Sequence, residues 1–443
     1  MNKLSRLYAR SEYYPVFNFT DEAARYRFYM LVQTVISSIV SGFTGGVFYT
    51  GFLMEYGINI VDISILSAIP YTSCLCLLFV PYILERFPKR RRILTFFRIL
   101  HYVLQILGVS VLPLVIHSQS GRVAGLIILV FVSTMVGAFS SGYSPWHMPY
   151  ITDAVRMKYF STITLLSSVF SSAVTIITGV ITDRLAAEDQ LSMLSVMRYV
   201  AFGLAMIDVY LLQKPKEPAY SSSLEKPKLL DVFRLPLSNK RFMLVMAILF
   251  AYCYIWNIPF SVESAWLLQT VGTGYMYINV IGGIYILFIL FSSKPWRKVV
   301  TKVGTFPGFA LIFLLYAPTF LAYAFVKHSN YLWLLTLIRL TQHALGMLNY
   351  YCYNNAIYLC LPPDDQTNYI SFYTIATNTG VLVGSLSGTT VVALMGESRL
   401  PILFTQMDSV QFLFFIQGCF ALLAALAVWL MRKKFPQESP SET

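Results

Sequence analysis

Arg339 and His343 stand one helical turn apart in the run Leu337-Ile338-Arg339-Leu340-Thr341-Gln342-His343-Ala344-Leu345-Gly346-Met347-Leu348-Asn349-Tyr350. The flanking residues are apolar enough to hold this run inside a bilayer. There an arginine at mid-helix costs ~2.5–3.5 kcal/mol on insertion scales, so it normally faces a cavity or a partner. At helical spacing Arg339, His343, Gly346, Tyr350 and Tyr353 recur on one stripe, with Gln342 and Asn349 beside it. The guanidinium suits an anionic group, and the amides and phenols suit oriented hydrogen bonds. The expectation is a polar stripe that meets a solute. The structural alternative is an arginine that pins a carbonyl or carboxylate between packed helices.

Tyr252, Trp256, Pro259 and Glu263 form a second stripe, with Asn257 alongside. Tyr and Trp offer an apolar face with a polar handle, suited to stacking on a ring or sugar, and equally suited to packing. Glu263 and Asp208 are the carboxylates that fall within apolar segments. Glu263 lies towards an outer end, where solvation is its alternative role. If a proton is coupled to solute movement, Glu263 and His343 are the groups to carry it. No catalytic constellation and no metal-ligand spacing appears. The cysteines (Cys74, Cys76, Cys253, Cys352, Cys360, Cys419) lie in or at the ends of apolar segments, so neither a metal site nor a disulfide framework is expected.

The elements that position these residues follow from hydropathy. The chain has 443 residues, 56% hydrophobic and 12% charged, against about 25% charged in soluble domains. A spanning helix needs roughly 20 apolar residues. That criterion places spans at 28–54, 63–84, 93–116, 123–146, 160–182 and 193–212, then at 242–268, 274–293, 306–326, 331–361, 370–395 and 410–431. The expected fold class is an all-α polytopic membrane protein with twelve transmembrane helices in two six-helix halves. The halves are residues 28–212 and 242–431. A terminal segment (1–27), without the apolar core of a signal peptide, and a tail (432–443) flank them. Between them, residues 213–241 carry seven basic residues among prolines and a serine run, which reads as an irregular polar connector.

The net charge is +12, yet the basic residues lie between apolar segments rather than clustered on a soluble fold, which excludes a nucleic-acid reader. With the N-terminus inside, 26 of the 33 Lys and Arg residues fall on the cytoplasmic side and four outside. Arg98, Arg198 and Arg339 stay within spans. Both termini are therefore expected in the cytoplasm, and the expected location is a bacterial plasma membrane.

An internal repeat is visible about the connector. The loop Leu84-Glu85-Arg86-Phe87-Pro88-Lys89, followed by Arg90, Arg91 and Arg92, has a counterpart at Val300–Thr305, displaced by 216 residues. The loop from Arg156 to Ser161 has one at Gln366–Ser371, displaced by 210. Two halves, parallel repeats and a basic central loop resemble the major facilitator superfamily. Its signature between spans two and three runs roughly Gly-x-x-x-Asp-Arg-x-Gly-Arg-Arg/Lys. Here Glu85, Arg86 and the basic run match, while both glycines are missing and the second copy has Thr301 in place of the acid.

The resemblance implies alternating access and a cytoplasmic gate built from Glu85, Arg86 and Arg90, extended by Asp153 and Arg156. It implies that spans one, four, seven and ten face a central cavity. Gln33, Ser37, Thr44 and Phe48 would then face it, as would Ser133, Gly137, Ser140 and Ser144, with close packing by small residues the alternative for the latter four. Arg98 and Asp208 would be structural. Gly380, Gly384 and Gly388 read as a close helix contact. The expected function is a secondary transporter of a small organic solute, coupled to a proton or sodium ion, acting as a monomer without a cofactor. No Walker loop is present to supply ATP hydrolysis. The competing classes are a membrane enzyme acting on a lipid-linked substrate, for which the acidic or histidine cluster is missing, and a transporter-like sensor.

Overall fold

The computed structural model describes residues 13–18, 21–77, 79–85, 87, 89–217, 231–362, 366–402 and 405–434. Among them, eleven helices are long and apolar enough to cross a membrane. In chain order these are Glu22–Glu55, Ile60–Leu77, Arg91–Val115, Gln119–Gly142, Lys158–Arg184, Ala187–Leu212, Lys240–Val271, Tyr275–Val303, Thr305–Tyr323, Asn368–Met395 and Ser409–Met431. The remaining expected span, the tenth, is a continuous helix from Tyr331 to Ala356. Arg339, Gln342, His343 and Asn349 dilute its hydropathy below that of the others. The helix expected to hold the chemistry is the one that looks least like a membrane span.

Several spans are interrupted, each for a local reason. The first breaks at Gly45, and Gly46 takes a positive φ of 54°, a conformation that costs a side-chain-bearing residue dearly. The third carries a π-helical turn over Val103–Gly108. Such a turn disturbs the backbone ladder, and Arg198 of the sixth span answers by donating to Gln105 O at 2.8 Å and to Ser110 Oγ at 2.7 Å. The seventh consists of Lys240–Asn257, Phe260–Trp266 and a π-helical turn over Leu267–Val271. Pro259 lacks the amide hydrogen that would continue its ladder. Gln417 meets the carbonyl of Ile255 near that break, at 3.0 Å.

By packing, the chain divides into two compact units: residues 1–56 with 79–224, and residues 57–78 with 225–443. The second span thus belongs by contact to the unit that holds the C-terminal half of the sequence. Within that unit, Ser64 Oγ donates to Ser261 Oγ at 2.6 Å and also pairs with Thr389 Oγ1, all three buried. Buried hydroxyls that satisfy one another avoid the cost of an unpaired polar group away from water. The connector also departs from expectation. Asp231–Ser238 is helical, with Val232 and Pro236 buried, and it packs on the eleventh span, because its apolar residues recur on one face. Residues 218–230 lie outside the described residues.

The ninth span is the centre of the second unit. Phe306, Phe309, Phe313, Ala317, Phe320 and Tyr323 are all buried, on the face turned to the tenth and twelfth spans. Lipid tails are as apolar as these side chains, so close packing rather than escape from water holds the helices together. Glycine permits it. A Cβ at Gly418 would come within 2.6 Å of Leu321, and one at Gly384 or Gly388 would collide with the seventh-span carbonyl of Tyr254 or Ile258. The close contact expected of Gly380, Gly384 and Gly388 is present.

Candidate functional site

The tenth span places Arg339, Gln342 and His343 on adjoining faces of one turn, because i, i+3 and i+4 neighbours share a side of a helix. The broken seventh span delivers Glu263. Arg339 Nη2 forms an ion pair with Glu263 Oε1, and Tyr323 OH donates to that same oxygen. The Tyr323 ring lies 5.5 Å from the Arg339 guanidinium carbon, a distance at which a ring face attracts a cation. Gln342 Nε2 donates to Thr319 Oγ1 at 3.2 Å, fixing the amide beside the pair.

The pair remains partly open, with Arg339 30% and Glu263 16% exposed by side chain. The opening is a cavity of about 180 Å³ lined by Leu267, Tyr277, Ile278, Ile281, Gly282, Leu335, Arg339 and His343. His343 Nε2 lies 2.9 Å from the carbonyl of Ile281. A carbonyl only accepts, so Nε2 carries the hydrogen and the imidazole is anchored to the cavity wall. Tyr285 packs against its ring at 5.3 Å. The site is therefore a single guanidinium over a hollow that is apolar apart from His343 and the Tyr277 hydroxyl, its charge balanced from behind by one carboxylate.

The family model for the Major Facilitator Superfamily matches residues 244–443. No curated protein matches the chain. Among solved structures, the nucleoside transporter NupG shares the fold at a TM-score of 0.64 and 11% identity, covering 92% of this chain and 99% of that one. The inward open xylose transporter XylE from E. coli does so at 0.66 and 15%, covering 94% and 98%. A bacterial metal transporter does so at 0.63 and 14%, covering 93% and 100%. The family match thus lies in the C-terminal part of the chain, residues 244–443. At these identities the structural likeness is one of fold.

Other expected site residues lie elsewhere. Tyr252 and Trp256 stack at 4.7 Å, and Trp256 meets Tyr316 edge-on at 4.6 Å. Both belong to the aromatic packing of the second unit rather than to the cavity wall. Asn257 donates to Cys253 O at 2.7 Å and so closes its own helix end. Tyr350 is exposed, and Asn349 holds a buried Oδ1 with no hydrogen-bond partner among the described residues. Neither lines the cavity. Gln33 lies in the first unit, where its amide donates to Asp208 Oδ1 at 2.5 Å. There Arg98 Nη2 stands 3.1 Å from Asp208 Oδ2, Tyr102 OH donates to that oxygen at 2.8 Å, and Ser37 accepts from Arg98 at 3.4 Å. Ser133 and Gly137 of the fourth span pack on His101.

Of the expected gate, Arg86 and the side chains of Glu85 and Asp153 lie outside the described residues, and Arg156 is exposed. The backbone amides of Arg90 and Arg91 both donate to Glu217 Oε1 of the connector, at 2.5 and 3.0 Å. Both amides stand at the start of a helix whose own N-cap residue supplies no side-chain hydrogen bond. The carbonyl of Lys216 accepts from Trp146 at 2.8 Å and from Tyr150 at 2.7 Å. The Lys216 ammonium meets Glu22 at 2.8 Å, and that hydrogen bond holds the lysine above its usual range. Sequence reasoning missed Glu217, Tyr323, Ile281 and Gly282. The one local signal for Glu217 was an acid in an otherwise basic run.

Proposed function

We propose that this chain is a transporter of the major facilitator type, a secondary transporter that moves a small organic anion by alternating access, with a proton taken up at Glu263 as the anion meets Arg339. The observation that carries this reading is the Arg339–Glu263 pair at the wall of the cavity. An arginine at a desolvated site costs too much to stand uncompensated, and here Glu263 balances it. A second anion at Arg339 would leave the site with one excess negative charge in a low-dielectric setting. Protonation of Glu263 restores neutrality, so binding of the anion and of the proton favour each other. Tyr323 keeps the carboxyl oriented. His343, anchored to the Ile281 carbonyl, serves the wall of the site rather than the proton. That NupG and XylE, which share the fold, are transporters supports transport as the class of activity. The substrate assignment rests on this chain's own residues.

The test is uptake of small carboxylates into proteoliposomes with and without an imposed pH gradient. Wild type should concentrate the anion when the outside is acidic. Glu263→Gln should still exchange anion for anion across the membrane but lose the response to the gradient. Gradient-driven accumulation by Glu263→Gln would remove Glu263 from coupling.

A further inference from the structure

The eighth span offers Ile278, Ile281 and Gly282 to the cavity, at the i, i+3 and i+4 spacing that puts them on one face. Gly282 is unlike the glycines that pack this unit. A Cβ at Gly346 would come within 2.6 Å of Tyr285, and one at Gly308 within 2.5 Å of Cys352 Sγ, whereas a Cβ at Gly282 would meet nothing within 4 Å. Its φ is not in the left-handed region either, since it sits inside the helix Tyr275–Val303. Neither packing nor backbone conformation calls for glycine, and a glycine in a helix interior is a poor choice beside alanine. Gly282 and Arg339 line the same cavity.

We infer that Gly282 sets the size of the substrate: the ligand is a monoanion with a short apolar body, whose charged end meets Arg339 and whose apolar end lies over Gly282 against Ile278, Ile281 and Leu335. This rests on the anion reading above and deepens it. The hollow is apolar apart from Arg339, His343 and the Tyr277 hydroxyl, and that hydroxyl is occupied with Thr336 at 2.8 Å. Sugars and other many-hydroxyl solutes would leave polar groups unpaired there. At about 180 Å³ the cavity is also smaller than the roughly 300–1,000 Å³ of a drug-sized site. A side chain at position 282, on the cavity wall and with nothing within 4 Å of its Cβ, has room to narrow it.

The experiment measures binding of straight-chain monocarboxylates, acetate to hexanoate, to the purified full-length protein by calorimetry. The matched alcohols report mere partition into apolar surface. For wild type, affinity should rise by about fourfold per methylene, as expected for burial of each group, and the alcohols should bind far more weakly. Gly282→Ala, →Val and →Leu should reduce hexanoate affinity in that order, by tenfold or more for leucine, and leave acetate within twofold. If Gly282→Leu does not fold, the alanine and valine variants carry the same comparison, and melting temperature checks each. An unchanged hexanoate-to-acetate ratio in variants that bind acetate would overturn the role of Gly282 and leave the anion reading standing. Wild type binding no carboxylate at all, or binding alcohols equally well, would overturn the anion reading itself.

Discussion

Among the described residues, each unit of the molecule holds an arginine–carboxylate pair within its spans, and the two are built differently. In the first unit Asp208 is fully buried, and Gln33, Arg98 and Tyr102 all donate to it. A carboxylate with that many donors and no access to solvent is locked to its partners, and its surroundings must move together with it. In the second unit Glu263 receives Arg339 and Tyr323 on one oxygen, and both members of the pair keep some exposure beside a cavity. That carboxylate can change partner without unpacking the helices. A charge inside a membrane is therefore not by itself a site. What separates a rivet from a site is whether the polar atoms are all accounted for and whether space lies next to them.

Substitutions at the two pairs should have opposite consequences, and the most damaging should be at Asp208. Asp208→Ala leaves Arg98 buried without its counter-charge and should cost about 3–5 kcal/mol of stability. Thermal unfolding in detergent would show this as loss of folded protein, whereas Glu263→Gln should remain folded. Equal destabilisation by both changes would erase the distinction between the pairs. Next, Arg339→Lys keeps the charge but loses the planar donor fork. Its affinity for a bound carboxylate should fall by about 2–5 kcal/mol, with melting temperature close to wild type. Unchanged affinity with a large loss of stability would assign Arg339 to helix packing.

A finer test removes one phenol from each pair. Tyr102→Phe takes a donor from a buried charge and should destabilise by about 1.5–3 kcal/mol, the range for hydrogen bonds to charged groups. Tyr323→Phe should cost less stability and instead weaken the link between the pH gradient and uptake. The reverse assignment in paired melting and proteoliposome assays would exchange the roles of the two sites. The mildest change is expected at the helix end that the connector closes. Glu217→Ala removes the cap on Arg90 and Arg91 and should cost about 1 kcal/mol. Hydrogen exchange should then speed up at the first turn of the third span, and an unaltered exchange rate there would show that the contact contributes nothing.

Much of the architecture could be read from the chain because the bilayer imposes a one-dimensional rule. A helix must be about 20 residues long and apolar, since no water satisfies its backbone within the membrane. Among the described residues the spans obey it, and the single shortfall in hydropathy fell on the tenth helix, where Arg339 and His343 reside. The same local reasoning placed Arg339 and His343 on one face, and both line the cavity. It could not rank the other polar and aromatic residues, because a stacked Trp256 and a substrate-facing one have the same sequence.

Partners at long range were the province of the tertiary structure alone. Sequence drew Glu263 and Arg339 as separate candidates 76 residues apart, and only the break at Pro259 with the packing of the ninth helix brings them together through Tyr323. Glu217 reaches back 126 residues to cap the third span, and the second span packs by contact with the C-terminal unit. The physical reason is that composition and periodicity fix what each helix can bury, whereas the pairing of polar atoms depends on which helices touch and at what height. Gly282 shows the limit most plainly. As a letter in the sequence it is a helix glycine like its neighbours, and only three dimensions show that the space beside it is empty.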